Sequence, residues 1–196
     1  MGRRWNSPEF MIRGEVFLLL ALMILLLPLR WVIAFVTAAM WHELCHAAAV
    51  YLCGGMISRV TVSGFGAIMD SRLSTPAQEL ICTLAGPFGG LVLLLFAPVF
   101  PRLALCAAAH SFYNLLPMLP LDGGRALRCI LQLLIPRHAA AICIGVQWGT
   151  RIFVFCITAY FILAWNLGLL PLLLIVRLLL PNTAKTPCNK ALKAVQ

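Results

Sequence analysis

The sequence predicts an all-α polytopic membrane protein of about six transmembrane helices. One of these is broken at a Pro/Gly/Asp motif, and a short re-entrant β-hairpin lies between spans two and three. Three observations carry that prediction. Hydrophobic residues make up 62% of the 196 residues and charged residues 11%, where soluble domains run about 45–50% and about 25%; the mean hydropathy of +0.97 agrees. The apolar residues fall in runs close to the roughly 20 residues a span requires. One stretch, residues 54–72, interrupts the helical pattern with glycines and β-branched residues. A soluble enzyme, a disordered regulator and a disulfide scaffold are excluded at this level.

Taken in order, residues 1–13 read as a basic N-terminal leader, residues 14–180 as the membrane domain and residues 181–196 as a polar tail. Val16–Leu29 has the look of a signal-peptide core, but no small-residue cleavage pattern follows, so it reads as an uncleaved first span. Pro28 and Arg30 separate it from span two, Trp31–Leu52. Gly54 to Arg72, with four glycines and partial alternation, predicts a hairpin. At membrane depth such backbone must be buried in protein or line a wet cavity. Span three, about Pro76–Pro98, contains Ala85–Gly90 (AGPFGG), whose Pro87 and glycines predict a kink and close helix approach. Arg102–Ile135 is too long for one span and is broken by Pro117, Pro120, Gly123 and Gly124. It predicts a helix, an unwound stretch at 117–122 and a second helix. Ala139–Ala164 and Trp165–Leu180 complete the set as spans five and six.

The net charge of +9 comes from 15 Lys+Arg against 6 Asp+Glu. In a chain this apolar it reflects the collection of Lys and Arg in cytoplasmic loops, with the bilayer and not nucleic acid as the partner. Six spans place Arg3, Arg4, Arg13, Arg59, Arg72, Arg125, Arg128, Arg137 and the three lysines on one side, and chiefly Arg30 and Arg102 on the other. Both termini are therefore expected in the cytoplasm. Arg151, in mid-span, fits neither group. The eight cysteines show no C-x-x-C pair, so neither a disulfide framework nor a cysteine zinc cage is visible. No internal repeat of the transporter kind is evident.

The chemistry sits in span two, where His42-Glu43-Leu44-Cys45-His46 reads H-E-x-x-H. Two histidines four residues apart lie on one helix face and can share a metal ion, with Glu43 placed to act as general base. Three ionisable groups inside an apolar span demand a reason, since each costs about 2.5–3.5 kcal/mol there; a polar cluster packed between helices is the weaker account. A catalytic zinc usually takes a third protein ligand and keeps an open position. Glu79 and Asp122 are the candidates at membrane depth. Asp122 follows prolines and precedes two glycines that let a side chain turn inward, though an ordinary turn aspartate has the same surroundings. Glu79 reads as a span-end cap or a partner for arginine. His110 reads as a packed or hydrogen-bonded histidine, and His138 as a surface one.

HELCH in an early span, AGP in the next and NLLPMLPLDG (Asn114–Gly123) in a broken later one together resemble the site-2 protease family of intramembrane zinc metalloproteases. The sporulation factor IVFB-like branch is the nearest in pattern, and the resemblance covers about residues 14–136. It implies one zinc per chain held by His42, His46 and Asp122, with Glu43 as catalytic base. It also implies that the hairpin, with Gly64, Phe65 and Gly66 at its tip, pairs with an unwinding substrate, and that Asn114 serves substrate positioning or oxyanion support, an interhelical hydrogen bond being the plainer alternative. The implied substrate is a membrane-tethered protein such as a pro-sigma factor, with membrane-protein regulators as further partners. The chain departs from the family in having Cys45 where Gly is usual and in lacking the Asn often found after AGP. It shows neither an inserted PDZ domain nor a nucleotide-sensing C-terminal module. Two other functions would use the same fold: a catalytically silent scaffold, against which the intact Glu43 argues, and a metal or ion transporter, which would exchange ions instead of holding one.

Overall fold

The structure, a computed structural model, describes residues 9–63 and 66–165. These divide between Ile144 and Gly145 into two compact units. The elements are β1 (Glu9–Ile12), α1 (Glu15–Leu26), α2 (Leu29–Leu52), β2 (Met56–Ser63), β3 (Gly66–Arg72) and α3 (Pro76–Val92) with a 3₁₀ extension (Leu93–Phe96). They continue with α4 (Pro101–Asn114), α5 (Asp122–Leu134) and α6 (Ala139–Trp165).

Among the described residues three helices are long and apolar enough to cross a membrane: Leu29–Leu52, Pro76–Phe96 and Ala139–Ala164. The chain is an integral membrane protein. Large apolar side chains stand exposed along its helices, among them Phe17, Leu25, Leu52, Leu95, Phe153 and Leu163, a surface that suits lipid and not water. The expected first span is the 12-residue α1, shorter than a bilayer requires. The expected fourth is two helices of 14 and 13 residues. Span six, the polar tail 181–196 and the first eight residues of the leader lie outside the described residues.

Local chemistry explains the breaks. Pro28 has extended backbone (φ −57°, ψ 136°), which proline favours and which separates α1 from α2. Thr75 and Gln78 form a reciprocal capping box and Pro76 takes the first helical position, so α3 starts abruptly after the sheet. The helix then continues through Pro87 before tightening into its 3₁₀ end.

The expected hairpin is present: β2 and β3 pair antiparallel, with a bulge between Ile57 and Arg59. The sheet has a third strand that the sequence reading assigned to the leader. β1 pairs parallel to β2, with Glu9 opposite Arg59 and an ion pair of 2.8 Å between them. A four-residue strand whose partner lies about 50 residues further along the chain carries too little pattern to be read from sequence.

Small apolar residues form the helix contacts. Ala49, Val50, Ile57 and Cys82 join α2, the sheet and α3. Ala38, Leu93 and Ala107 join α2, the 3₁₀ turn and α4. Leu131 packs with Ala139 and Cys143 at the start of α6. Without a hydrophobic driving force between helices in lipid, such close approach is what holds spans together.

Candidate metal centre

His42 and His46 lie one turn apart on α2, with ring centroids 4.7 Å apart at an interplanar angle of 81°. Asp122 is the first helical residue of α5. Its Oδ2 lies 3.1 Å from His42 Nε2 and 3.0 Å from His46 Nε2, and the two Nε2 atoms are 3.1 Å apart. All three residues are buried. Ligands at about 2.0–2.2 Å from a tetrahedral zinc stand roughly 3.3–3.6 Å from one another. The triangle is a few tenths of an ångström tighter than that, so these residues fit a metal ion with little movement. Among the described residues this is the one group of three or more His, Cys, Asp or Glu side chains so arranged.

Asp122 reaches α2 because the chain from 115 to 121 is not helical. Pro117 and Pro120 prevent it, the Leu119–Pro120 bond being cis, and α5 restarts at Asp122 itself. Gly123 and Gly124 allow the loop to fold back onto the first turn of α5. A Cβ on Gly123 would overlap the Leu115 carbonyl, and one on Gly124 would overlap the Met118 backbone. The unwound segment expected at 117–122 is thus displaced toward the N-terminus, and Asp122 gains the fixed backbone of a helix end.

A metal-bound histidine generally donates its other ring N–H to an oriented acceptor. His46 does so: Nδ1 lies 2.7 Å from the Cys82 carbonyl of α3, which leaves Nε2 free to face Asp122. Gly86 makes room for this ring, since a Cβ there would overlap His46 Nε2. His42 is held differently. Its Nδ1 is buried without a hydrogen-bond partner, and the ring is clamped edge-to-face by His110 of α4 at 4.7 Å. His110 in turn meets Phe35 at 5.8 Å, so four rings form a chain of contacts between α2 and α4.

Glu43 points toward the sheet, with Oε1 3.4 Å from the backbone N of Ala67 on β3. Gly66, next to it, has φ +117°, a conformation that favours glycine. Of the hairpin tip proposed to meet substrate, Gly66 is adjacent to the Glu43 side chain, whereas Gly64 and Phe65 lie outside the described residues. Asn114 ends α4, and its Nδ2 donates to the His110 carbonyl of its own helix at 3.1 Å.

Glu79 proves to be the arginine partner. Its Oε1 lies 2.8 Å from Arg128 Nη2 and 4.0 Å from Arg125 Nη2, tying α3 to the helix that carries Asp122. Cys45 faces Gly89 of α3, where a Cβ would overlap its Sγ; one turn earlier on α2, Trp41 Nε1 donates to the Gly89 carbonyl at 2.8 Å. Sequence reasoning named Cys45 and Gly89 without pairing them. It also missed the supports of the two histidines, because a backbone carbonyl and a ring edge leave no residue-type signature.

No family model matches the chain. It is 28% identical over 123 residues to a protein of Synechocystis sp. named "Putative zinc metalloprotease sll0528", covering 52% of this chain and 32% of that protein. It is 29% identical over 124 residues to "Putative zinc metalloprotease Rip3" of Mycobacterium tuberculosis, covering 54% of this chain and 31% of that one. The chain thus spans about a third of the length of these curated relatives. The Site-2 Protease from Methanocaldococcus jannaschii has the same fold, with a TM-score of 0.60 and 23% identity over 85% of this chain and 86% of that one. The likeness to site-2 proteases carried by HELCH, AGP and NLLPMLPLDG thus has a counterpart in fold, beside sequence relatives that are named zinc metalloproteases.

Proposed function

We propose that the chain is a zinc-dependent intramembrane endopeptidase that hydrolyses a peptide bond in or near the transmembrane segment of a membrane-tethered protein. The observation that carries this reading is the buried triangle of His42, His46 and Asp122, drawn from elements about 80 residues apart in sequence, with Glu43 beside it and turned to a sheet. His42, His46 and Asp122 would hold one zinc ion. When bound, zinc lowers the pKa of water to about 7 and polarises a carbonyl oxygen. Glu43 takes the proton of the attacking water and returns it to the leaving amine.

A peptide bond inside a substrate helix is shielded until that helix opens. The strand next to Glu43 offers backbone groups that an opened segment can pair with, and the hairpin tip at Gly64, Phe65 and Gly66 is assigned to that role. Asn114 is assigned to positioning the substrate. Leu44 lies eight residues before Leu52, the end of α2, or about 12 Å at 1.5 Å per residue. With both termini cytoplasmic, the cut falls nearer the cytoplasmic face and releases a fragment inward. The likeness to the sporulation branch points to a pro-sigma factor or another tethered transcription-factor precursor as substrate.

The test is zinc content and cleavage of a tethered substrate by detergent-purified protein, wild type beside Glu43→Gln and Asp122→Asn. About one zinc per chain, kept in Glu43→Gln while cleavage vanishes and weakened in Asp122→Asn, is the expected result. A folded wild type that binds no metal would overturn the proposal and leave a silent scaffold. Rapidly exchanging metal without cleavage would favour a transporter.

A further inference from the structure

The two histidines of the centre are held in different ways. His46 has the Cys82 carbonyl 2.7 Å from Nδ1, the oriented acceptor that a metal-bound histidine generally carries. His42 turns its Nε2 to Asp122 Oδ2 at 3.1 Å and is 2% exposed. Its Nδ1, however, has no hydrogen-bond partner among the described residues. An imidazole without such a bond turns readily about χ2, so packing must set its direction.

That packing is made of crossed rings. His46 stands 4.7 Å from His42 at 81°, and His110 stands 4.7 Å from it at 87°. Rings crossed in this way set the positive edge of one against the negative face of the other, an arrangement aromatic pairs favour. The first contact follows from the i, i+4 spacing on α2, whereas the second is brought in by α4. His110 is itself held. Phe35 lies 5.8 Å from its ring at 85° and stands seven residues before His42, two turns away on the same face of α2. Asn114 Nδ2 donates to the His110 carbonyl at 3.1 Å. The ring thus rests on α2 against both Phe35 and His42. His110 is not among the side chains placed to share one ion with the triangle. Among the described residues the triangle's hydrogen bonds involve α2, α3 and α5, so α4 meets the centre through the His110 ring.

We propose that His110 is a positioning residue whose ring fixes the orientation of the His42 imidazole, in place of the acceptor that His46 finds in Cys82. The inference rests on the metal-centre reading above and adds to it what the centre requires of α4. The role belongs to the shape and quadrupole of the ring and not to its nitrogens. An aromatic side chain of similar size should therefore serve, and an aliphatic one should not. A ligand supplied from α4 would close the position that a catalytic zinc keeps open, whereas a ring that clamps His42 leaves it open.

The test uses the full-length chain in detergent, with zinc affinity read by chelator competition and ligand geometry read from the visible bands of the cobalt(II)-loaded protein. His110→Leu should lose about tenfold in zinc affinity, the lower end of what a missing orienting partner costs, and should move the cobalt bands. His110→Phe should recover most of the affinity and the wild-type band positions. Phe35→Leu withdraws the ring behind His110 and leaves His110 in place, so it should lose about threefold. Leu93→Ala loosens the contact of Ala38 and Ala107 between α2 and α4 without touching these rings. It should lower the unfolding midpoint and leave both metal readouts as in wild type. Wild-type metal readouts in His110→Leu, or in Phe35→Leu where His110→Leu does not fold, would overturn the proposal. So would a His110→Leu loss no larger than that of Leu93→Ala, or a His110→Phe protein as impaired as His110→Leu, which would make the nitrogens and not the ring the working part. A wild type that binds no metal would overturn the metal-centre reading together with this one. A wild type that binds zinc beside an unaffected His110→Leu would overturn this one alone.

Discussion

Replacing Gly86 with alanine tests how tightly the metal centre is built. The new Cβ would overlap His46 Nε2 and stand 2.5 Å from Cε1 and 2.7 Å from Cδ2 of the same ring, where ordinary contact begins near 3.4 Å. Both partners are constrained: Gly86 lies inside α3, and the ring is pinned by its 2.7 Å bond to the Cys82 carbonyl. The ring must therefore shift by about 1 Å, several times the tolerance of roughly 0.2 Å that a metal–ligand distance allows. Loss of an orienting partner alone costs about 10–100-fold in metal affinity, and here the ligand atom itself is displaced. A fall of at least about 100-fold in zinc affinity is expected, or about 2.7 kcal/mol. The assay is chelator competition on detergent-purified protein, with Gly145→Ala as control, because a Cβ there meets nothing within 4 Å. That control should bind zinc as wild type does and gain slightly in helix stability. A Gly86→Ala protein that kept wild-type zinc affinity would refute the account of His46 given above.

Glu79→Gln removes the charged partner of Arg128, whose side chain is 22% exposed, and should lower stability by about 1–3 kcal/mol. Because Arg128 shares α5 with Asp122, zinc affinity should fall as well; thermal unfolding and chelator competition on one preparation check both. Gly89→Ala should destabilise by about 1–3 kcal/mol through overlap with Cys45 Sγ. Adding Cys45→Gly should recover most of that loss, and a double-mutant cycle of unfolding midpoints measures the coupling. A purely additive pair would show that the two residues do not compete for one space.

Three of the expected spans and the pairing of His42 with His46 on one helix face were legible because each rests on a signal of residue type and period. Apolar runs of bilayer length identify helices, and an i, i+4 histidine pair fixes its own geometry once the helix is granted. Asp122 was legible only as a candidate, since Pro-Leu-Asp-Gly-Gly describes a solvent-exposed turn as well as a broken span. The choice between them depends on whether Gly123 and Gly124 fold under the Leu115 and Met118 backbone, which is a tertiary fact. The strand Glu9–Ile12 was missed for the opposite reason: its partner, β2, lies almost 50 residues away and the strand has no amphipathic pattern, all four residues being exposed. Arg151 stood out in the sequence as an anomaly in mid-span, and among the described residues only the Trp148 ring faces its guanidinium.

The glycines that break the local rules are the same residues that assemble the centre. Gly86 admits the His46 ring, Gly89 admits Cys45, and Gly123 with Gly124 admits the returning loop. In a soluble protein this packing could be driven by burying large side chains against water. Between lipid-facing helices that force is absent, and close backbone approach with a few strong polar contacts must replace it. The Glu79–Arg128 pair and the Trp41 bond to the Gly89 carbonyl are contacts of that kind. They fix α3 against α5 and α2 respectively, and so bring Asp122 on α5 to His42 and His46 on α2 through a helix that supplies no member of the triangle itself. α3 is therefore the element on which the separation of His42, His46 and Asp122 depends. Substitutions along its inner face should act on metal affinity before they act on the fold.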